Sequence, residues 1–222
     1  PPSFFPELTS QFAWERDESP PIPSIVRVLR EHWQTFGEEF AAAARTFVGQ
    51  HSLSQNIYQE VTHLGWTVLL LFQCEVGWIP ELCAAAPRTC ALLRGRGFIA
   101  SEAMPGYCRC DESRGIDESG PGRQCEAPIK EKVGWIVLRG HQAAPYHSGE
   151  QRRVNIFVCV IGCAEAFVVA NGVVRQLDAG RVVSYQDGFS HLAVNNGDED
   201  RVVFVISLLH PHAWKHFDGR VA

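Results

Sequence analysis

The spacing of apolar positions changes along the chain, and each change predicts a different element. Ile25, Val28, Leu29, Trp33, Phe36 and Phe40 recur three and four residues apart, the period of one face of an α-helix. They predict a helix over 24–47, with Ser24 placed to cap it. Its polar face carries Arg27, Arg30, Glu31, Glu38 and Glu39. Because that face holds both signs of charge, the helix is expected to pack on a core rather than lie on a membrane. Ahead of it, residues 1–23 hold six prolines, which favours an extended arm. Residues 65–72 form an apolar, strand-like run, and residues 87–94 a second helix. From residue 133 onward, short β-branched runs recur at 133–138, 153–161, 166–170, 181–185, 191–195 and 201–209, each bounded by Gly, Asn or Asp. Asn171-Gly172 between two apolar runs is a hairpin signal. Asp187-Gly188 and Asn196-Gly197 punctuate the next two. Many short strands with little helix between them predict an antiparallel barrel or jelly roll.

Composition narrows the class. A length of 222 residues suits one domain. Four stretches are expected within it: the arm to 23, a helical backing layer over 24–100, a polar loop over 101–128 and a β-barrel over 133–212. The net charge of −5 argues against nucleic acid as a partner. Hydrophobic residues at 45% exclude a disordered chain, and no apolar run is long enough to cross a bilayer. The start at Pro1-Pro2 reads as a segment of a longer chain. The 101–128 loop holds six acidic residues against three arginines, together with Cys108, Cys110 and Cys125; a loop of that length is either functional or disordered. The other cysteines are Cys74, Cys83, Cys90, Cys159 and Cys163. No Cys-x-x-Cys pair occurs, so a structural zinc site is not expected. Cys159 and Cys163 lie among apolar strand residues and read as small buried hydrophobes.

Candidate chemistry sits in the barrel. His147 closes one short segment and His191 opens a strand 44 residues later. A single strand histidine is ordinarily a satisfied polar residue; two at the mouths of separate jelly-roll strands point to a ligand pair. Side chains alternate along a strand, so Arg201, Val203, Val205 and Ser207 share one face, as do Arg153, Asn155 and Phe157. If those faces line the lumen, it holds two imidazoles and two guanidiniums. Imidazole suits Fe(II), and an arginine fork suits a dicarboxylate.

Four motifs then occur in order. They are Cys83-x-x-x-Pro87-Arg88-Thr89-Cys90-x-Leu92-Leu93, His147-Ser148-Gly149, Asp187-Gly188-Phe189-Ser190-His191, and Arg201 followed nine residues later by His210-Pro211. Together they resemble the aspartyl/asparaginyl β-hydroxylase family of Fe(II)- and 2-oxoglutarate-dependent dioxygenases, over about residues 24–212. The resemblance implies a mainly β fold with α: a double-stranded β-helix, jelly-roll and cupin-like, backed by N-terminal helices. It implies iron held by His147 and His191, with water at the position where Gly149 stands in place of the usual Asp. Asp187 would lie near the metal's waters as a further catalytic group. Arg201 would pair with the distal carboxylate of 2-oxoglutarate, and Asn155 and Ser207 are the other candidates for binding the cosubstrate. Arg153 and Arg88 would meet the substrate, Arg153 with neighbouring Arg152 favouring one that bears a carboxylate. Dioxygen is the oxidant, with succinate and carbon dioxide as co-products. A Cys83–Cys90 disulfide is implied as well.

The chain departs from the family where a further arginine and a histidine give way to Asn155 and Phe157. The stretch between His147 and Arg153 is also about one residue shorter, and the 101–128 loop is longer. The expectation is hydroxylation of an unactivated carbon, the β-carbon of an Asp/Asn-type side chain, in an amino acid, peptide or protein bearing a carboxylate or amide. The segment is expected to be monomeric and to touch neither nucleic acid nor membrane. The resemblance suggests the endoplasmic reticulum lumen or a membrane-anchored protein, with the cytoplasm as the alternative. The functional alternatives are a small-molecule tailoring oxygenase, an iron halogenase that uses the room left by glycine for halide, and a non-catalytic cupin-type binding domain.

Overall fold

The computed structural model describes residues 21–49, 58–61, 66–74, 76–99, 102, 131–149 and 153–210. The arm up to residue 20, nearly all of the 101–128 loop with its three cysteines, Arg152 and Pro211 lie outside the described residues. Helix α1 spans Ile22–Gly49. It begins two residues before Ser24, which therefore lies within the first turn instead of capping it. Strands β1 (Tyr58–Val61), β2 (Trp66–Gln73) and β3 (Gly77–Trp78) follow, then helices α2 (Pro80–Ala85) and α3 (Pro87–Leu93). The rest is β4 (Lys132–Leu138), β5 (Gln142–His147), β6 (Arg153–Ile161), β7 (Ala166–Ala170), β8 (Val173–Gln176), β9 (Val182–Gln186), β10 (His191–Asn195) and β11 (Arg201–Leu209).

These strands form two antiparallel sheets. The larger runs β1-β2-β4-β11-β6-β9, with β3 paired to β2, and the smaller runs β5-β10-β7-β8. The two face each other as a double-stranded β-helix, the fold class expected. Strand β2 extends the larger sheet through β4, so residues 24–100 are not a purely helical layer. Among the described residues no helix is long and apolar enough to cross a membrane.

Alternation along β11 explains how the layers bind. All nine of its residues are buried, but its two faces do different work. Phe204 points out of the barrel toward α1, where its ring stacks on Phe36 with centroids 4.3 Å apart. Trp135 meets Phe204 edge-on at 5.2 Å, and its indole N–H donates to the Phe36 carbonyl at 3.0 Å. Truncating such a ring costs about 3–5 kcal/mol. The other face of β11 turns into the barrel, where Val203 and Val205 pack with Phe157, Val168 and Leu177.

Cys83 and Cys90 are bridged, their Cα atoms 5.6 Å apart. Cys159 and Cys163 are bridged too, which corrects their reading as free core residues. The chain reverses just after β6 at Gly162, which takes a positive φ of 62°, a conformation suited to glycine. The reversal brings Cys163 back over Cys159. Cys74 is also disulfide-bonded.

Candidate active site

Strand pairing, not sequence proximity, unites the two histidines. In the β5–β10 ladder His191 is the direct cross-strand partner of His147, and such partners hold their Cβ atoms about 5 Å apart. The rings stand 4.2 Å apart between centroids. Each is held in the same way. His147 Nδ1 lies 2.8 Å from the Pro145 carbonyl, and His191 Nδ1 lies 2.7 Å from the Phe189 carbonyl. A carbonyl oxygen only accepts, so Nδ1 carries the hydrogen in both rings, and in the neutral imidazole Nε2 keeps its lone pair. This is the way a protein orients a metal-ligating histidine. Burial holds the His191 pKa below its ordinary value, against the raising effects of the Phe189 hydrogen bond and Asp187. Burial therefore favours the neutral form of His191.

Asp187 sits at the barrel mouth beside this pair. Its Oδ1 is 3.7 Å from His191 Nε2. Arg153 binds its Oδ2 through both Nε, at 3.0 Å, and Nη2, while Asn155 Nδ2 donates to Oδ1. Ser207 donates in turn to Asn155 Oδ1 at 2.7 Å. Backbone bonds tie the same spot together: Asp187 N–H donates to the Arg153 carbonyl and Gly149 N–H to the Asp187 carbonyl, both at 2.8 Å. Gly149 has no Cβ, and the Asp187 carboxylate takes up the space one would need.

Arg201 lies at the other end of the pocket face of β11. The turn before β11 is fixed by Asn195, whose side-chain amide donates to the carbonyls of Leu138, Arg139 and Glu199 at 2.8–3.1 Å. Arg201 is only 4% exposed, and its Nε has no hydrogen-bond partner. Burial lowers its pKa to about 10, which still leaves it charged at neutral pH. A buried guanidinium with an unsatisfied donor is a costly feature without an anion beside it. Ser207 is six residues further along, about 20 Å by strand rise. Asn155 and Ser207, candidates for binding the cosubstrate, lie at the Asp187 end of the pocket and form the hydrogen-bonded chain that braces Asp187.

Between these ends the pocket wall is apolar. Register sets Ile136 beside Val203 and Phe157 beside Val205, and all four line the cavity. Two aromatic residues that sequence reasoning passed over line it as well. Tyr185 packs its ring 4.7 Å from His191, and burial, reinforced by Asp187, raises its pKa so that the phenol stays neutral. Trp66 lies 5.0 Å from the His147 ring. Only period two marks them: Tyr185 is two residues before Asp187 on β9, and Trp66 starts β2.

Arg88, a substrate-binding candidate from the sequence, lies outside this pocket. Its Nε donates to Glu39 Oε1 at 3.0 Å and its Nη2 to Glu38 Oε2 at 2.9 Å. The backbone N–H groups of Arg88 and Thr89 donate to the same Glu39 carboxylate at 3.1 and 2.8 Å. This clasp joins α1 to α3 and does not line the pocket.

The donor set fits iron and a dicarboxylate. Two fixed imidazoles present Nε2, an acid stands beside them, and an unsatisfied buried arginine waits deeper in the pocket. Among the described residues no group of three His, Cys, Asp or Glu side chains is arranged to hold a metal.

No curated protein sequence matches the chain. Among solved structures it is similar to the cupin domain of Schizosaccharomyces pombe Cnp3, at 12% identity over 40% of this chain and 62% of that one, with a TM-score of 0.34. The chain thus spans less than two thirds of that domain. It is also similar to a cupin 2 conserved barrel domain protein from Salinispora arenicola, at 22% identity over 46% and 80% of the two chains, with a TM-score of 0.31. A cupin 2 domain of an XRE family transcriptional regulator from Enterobacter cloacae matches at 14% identity over 35% and 80%, with a TM-score of 0.32. The aspartyl/asparaginyl beta-hydroxylase family model matches residues 121–211, the stretch that holds both histidines, Asp187 and Arg201. Over that barrel segment the chain is similar to the aspartyl/asparaginyl β-hydroxylase family.

Proposed function

We propose that the protein is an Fe(II)- and 2-oxoglutarate-dependent dioxygenase that hydroxylates an unactivated carbon of an amino-acid or peptide side chain. The observation that carries this reading is the matched anchoring of His147 and His191, each tied through Nδ1 to the carbonyl two residues before it. His147 and His191 would hold the iron, and Arg201 would take the distal carboxylate of 2-oxoglutarate. Iron bound there, with 2-oxoglutarate and dioxygen, would supply the C–H oxidation, with succinate and carbon dioxide as co-products.

The chain's own residues do the positioning. The Nδ1 anchors fix the imidazoles against rotation. Asp187, held by Arg153 and Asn155, offers a fixed acceptor to water near His191 Nε2. Arg201 places a buried positive charge in the pocket wall, where it would take the distal carboxylate of the cosubstrate. The apolar wall of Ile136, Phe157, Val203 and Val205 keeps water from the space between. A halogenase is disfavoured, because the room Gly149 leaves is occupied by the negative Asp187 carboxylate. Anaerobic calorimetry with Fe(II) and 2-oxoglutarate, followed by a succinate assay in air, tests the proposal. Binding of both with succinate release is expected; absence of either binding overturns it.

A further inference from the structure

Asn195 ends β10 and is only 1% exposed. Its Nδ2 faces the carbonyls of Leu138, Arg139 and Glu199, so two hydrogens serve three acceptors. Its Oδ1 accepts from the Gly197 N–H at 3.2 Å. Two of those carbonyls bracket Arg201: Leu138 is its direct partner on β4, and Glu199 lies two residues before it. The turn between Asn195 and Arg201 is also pressed from both flanks. A Cβ on Gly162 would come 2.3 Å from the Asp200 carbonyl oxygen and 3.1 Å from Arg201 Cα, and one on Gly140 would come 2.4 Å from the Asp198 carbonyl oxygen. The Gly197 carbonyl accepts from the His141 N–H, and the Asn196 N–H donates to the Glu165 carbonyl.

This clamp bears on the pocket. Arg201 Nε has no hydrogen-bond partner, so the backbone that carries the side chain has to set where its charge lies. Alternation puts His191, Ala193 and Asn195 on one face of β10, and His191 and Ala193 line the cavity. One strand therefore carries a candidate metal ligand at its first residue and, at its last, the side chain that anchors the arginine's backbone. The two lie about 13 Å apart by strand rise. That fixed length governs the gap that a dicarboxylate reaching from the histidines to the guanidinium has to match, and a cation placed in advance leaves less ordering to be done on binding.

We propose that Asn195 is a positioning residue: through the backbone on both sides of Arg201 it fixes the distance from the guanidinium to the histidine pair, and so sets the length of dicarboxylate that the pocket accepts. This rests on the reading of the pocket as a 2-oxoglutarate site, and its test reads binding rather than turnover. The full chain, loaded anaerobically with Fe(II), is titrated calorimetrically with 2-oxoglutarate or with 2-oxoadipate, which is one methylene longer. Wild type is expected to favour 2-oxoglutarate by about tenfold or more. Asn195→Ala should lower 2-oxoglutarate affinity about tenfold and lose most of that preference, with Fe(II) affinity unchanged. Asn195→Ser, which keeps one donor, should recover part of both. Glu39→Ala, which loosens the α1–α3 clasp outside the pocket, should change neither, so lowered stability alone does not give the result. If Asn195→Ala does not fold, Gly162→Ala is read in the same way, because it pushes the Asp200–Arg201 peptide from the other side with the Asn195 side chain intact. A variant with wild-type affinity, a variant that loses affinity but keeps the preference, or a wild type that binds both diacids equally overturns the inference and leaves the 2-oxoglutarate reading standing. A wild type that binds neither diacid overturns both.

Discussion

The carboxylate of Asp187 stands in the space that any side chain on Gly149 would occupy. A Cβ at Gly149 would overlap Oδ2 and come within 2.7 Å of Arg153 Nη2. The two positions are therefore exclusive, one acid or the other. Gly149→Ala is expected to push Asp187 and Arg153 apart at a cost of about 1–3 kcal/mol, a fall in Tm of roughly 2–4 °C for each kcal/mol, and to weaken Fe(II) binding. Gly149→Asp, although it rebuilds the sequence of a two-His-one-carboxylate motif, should gain no iron affinity, because a second carboxylate would be forced against Asp187. Calorimetry and thermal melts on both variants check this. Tighter iron binding by Gly149→Asp at unchanged Tm would show that Asp187 swings away freely.

The histidine pair gives a prediction with a pH sign. His191 is buried, and its pKa lies below that of an unfolded histidine, about 6.5. Between those two values the unfolded chain binds more protons than the folded one. Stability from this group is thus complete above about pH 6.5 and is lost as pH falls through the depressed folded value. Metal-free protein should melt at lower temperature as the buffer is taken from pH 7.5 to 5.5. His191→Asn should flatten part of that slope, and His147→Ala and His191→Asn should each abolish Fe(II) binding. A slope identical in wild type and His191→Asn would contradict the assignment.

The parts of this molecule that sequence made legible are those where one face of an element is chemically uniform. The spacing of Ile25, Leu29 and Phe36 marks α1, and alternation on β11 separates Phe204, which meets the helix, from Arg201 and Val203, which face the pocket. Elements without that uniformity were hidden. Strand β5 is an edge strand, mostly exposed and interrupted by Pro145, so it carries His147 without an apolar pattern to announce it. Trp66 and Tyr185 looked like ordinary core because an aromatic in an apolar run is the same whether it faces packing or a cavity. The Arg153–Asp187 pair spans 34 residues, and only the folded ladder shows that an arginine suited to a substrate is already held by the protein itself.

Glu39 predicts an acid-labile clasp remote from the pocket. Burial alone would raise its pKa, but hydrogen bonds from Thr89 and Arg88 outweigh burial and hold it below the ordinary carboxylate range. Its contribution is present above the unfolded value, near pH 4.3, and is lost as pH falls through the lower folded value. Glu39→Ala leaves the Thr89 N–H buried without its acceptor and should cost about 1–3 kcal/mol at neutral pH. Urea unfolding at pH 7 and pH 3 checks it: the gap between wild type and Glu39→Ala should narrow at the lower pH. Arg88→Ala should cost less, because its guanidinium is more than half exposed.

Arg201 separates stability from binding. Its buried charge lacks a partner at Nε, so in the free protein it is held at a cost, and in the complex that same charge would be matched by the cosubstrate's carboxylate. Arg201→Met keeps the volume of the stem and removes the charge. The free variant is therefore expected to unfold at the same or a higher temperature than wild type. Its affinity for 2-oxoglutarate should fall by about 10–100-fold, the equivalent of about 1.5–3 kcal/mol for hydrogen bonds to a charged group. Fe(II) binding, proposed to rest on His147 and His191, should change little. Melts with and without 2-oxoglutarate read both effects in one experiment: the ligand should raise the Tm of wild type and leave that of Arg201→Met unmoved. A variant that is destabilised on its own yet still stabilised by 2-oxoglutarate would mean that Arg201 supports the barrel and that the carboxylate is held elsewhere.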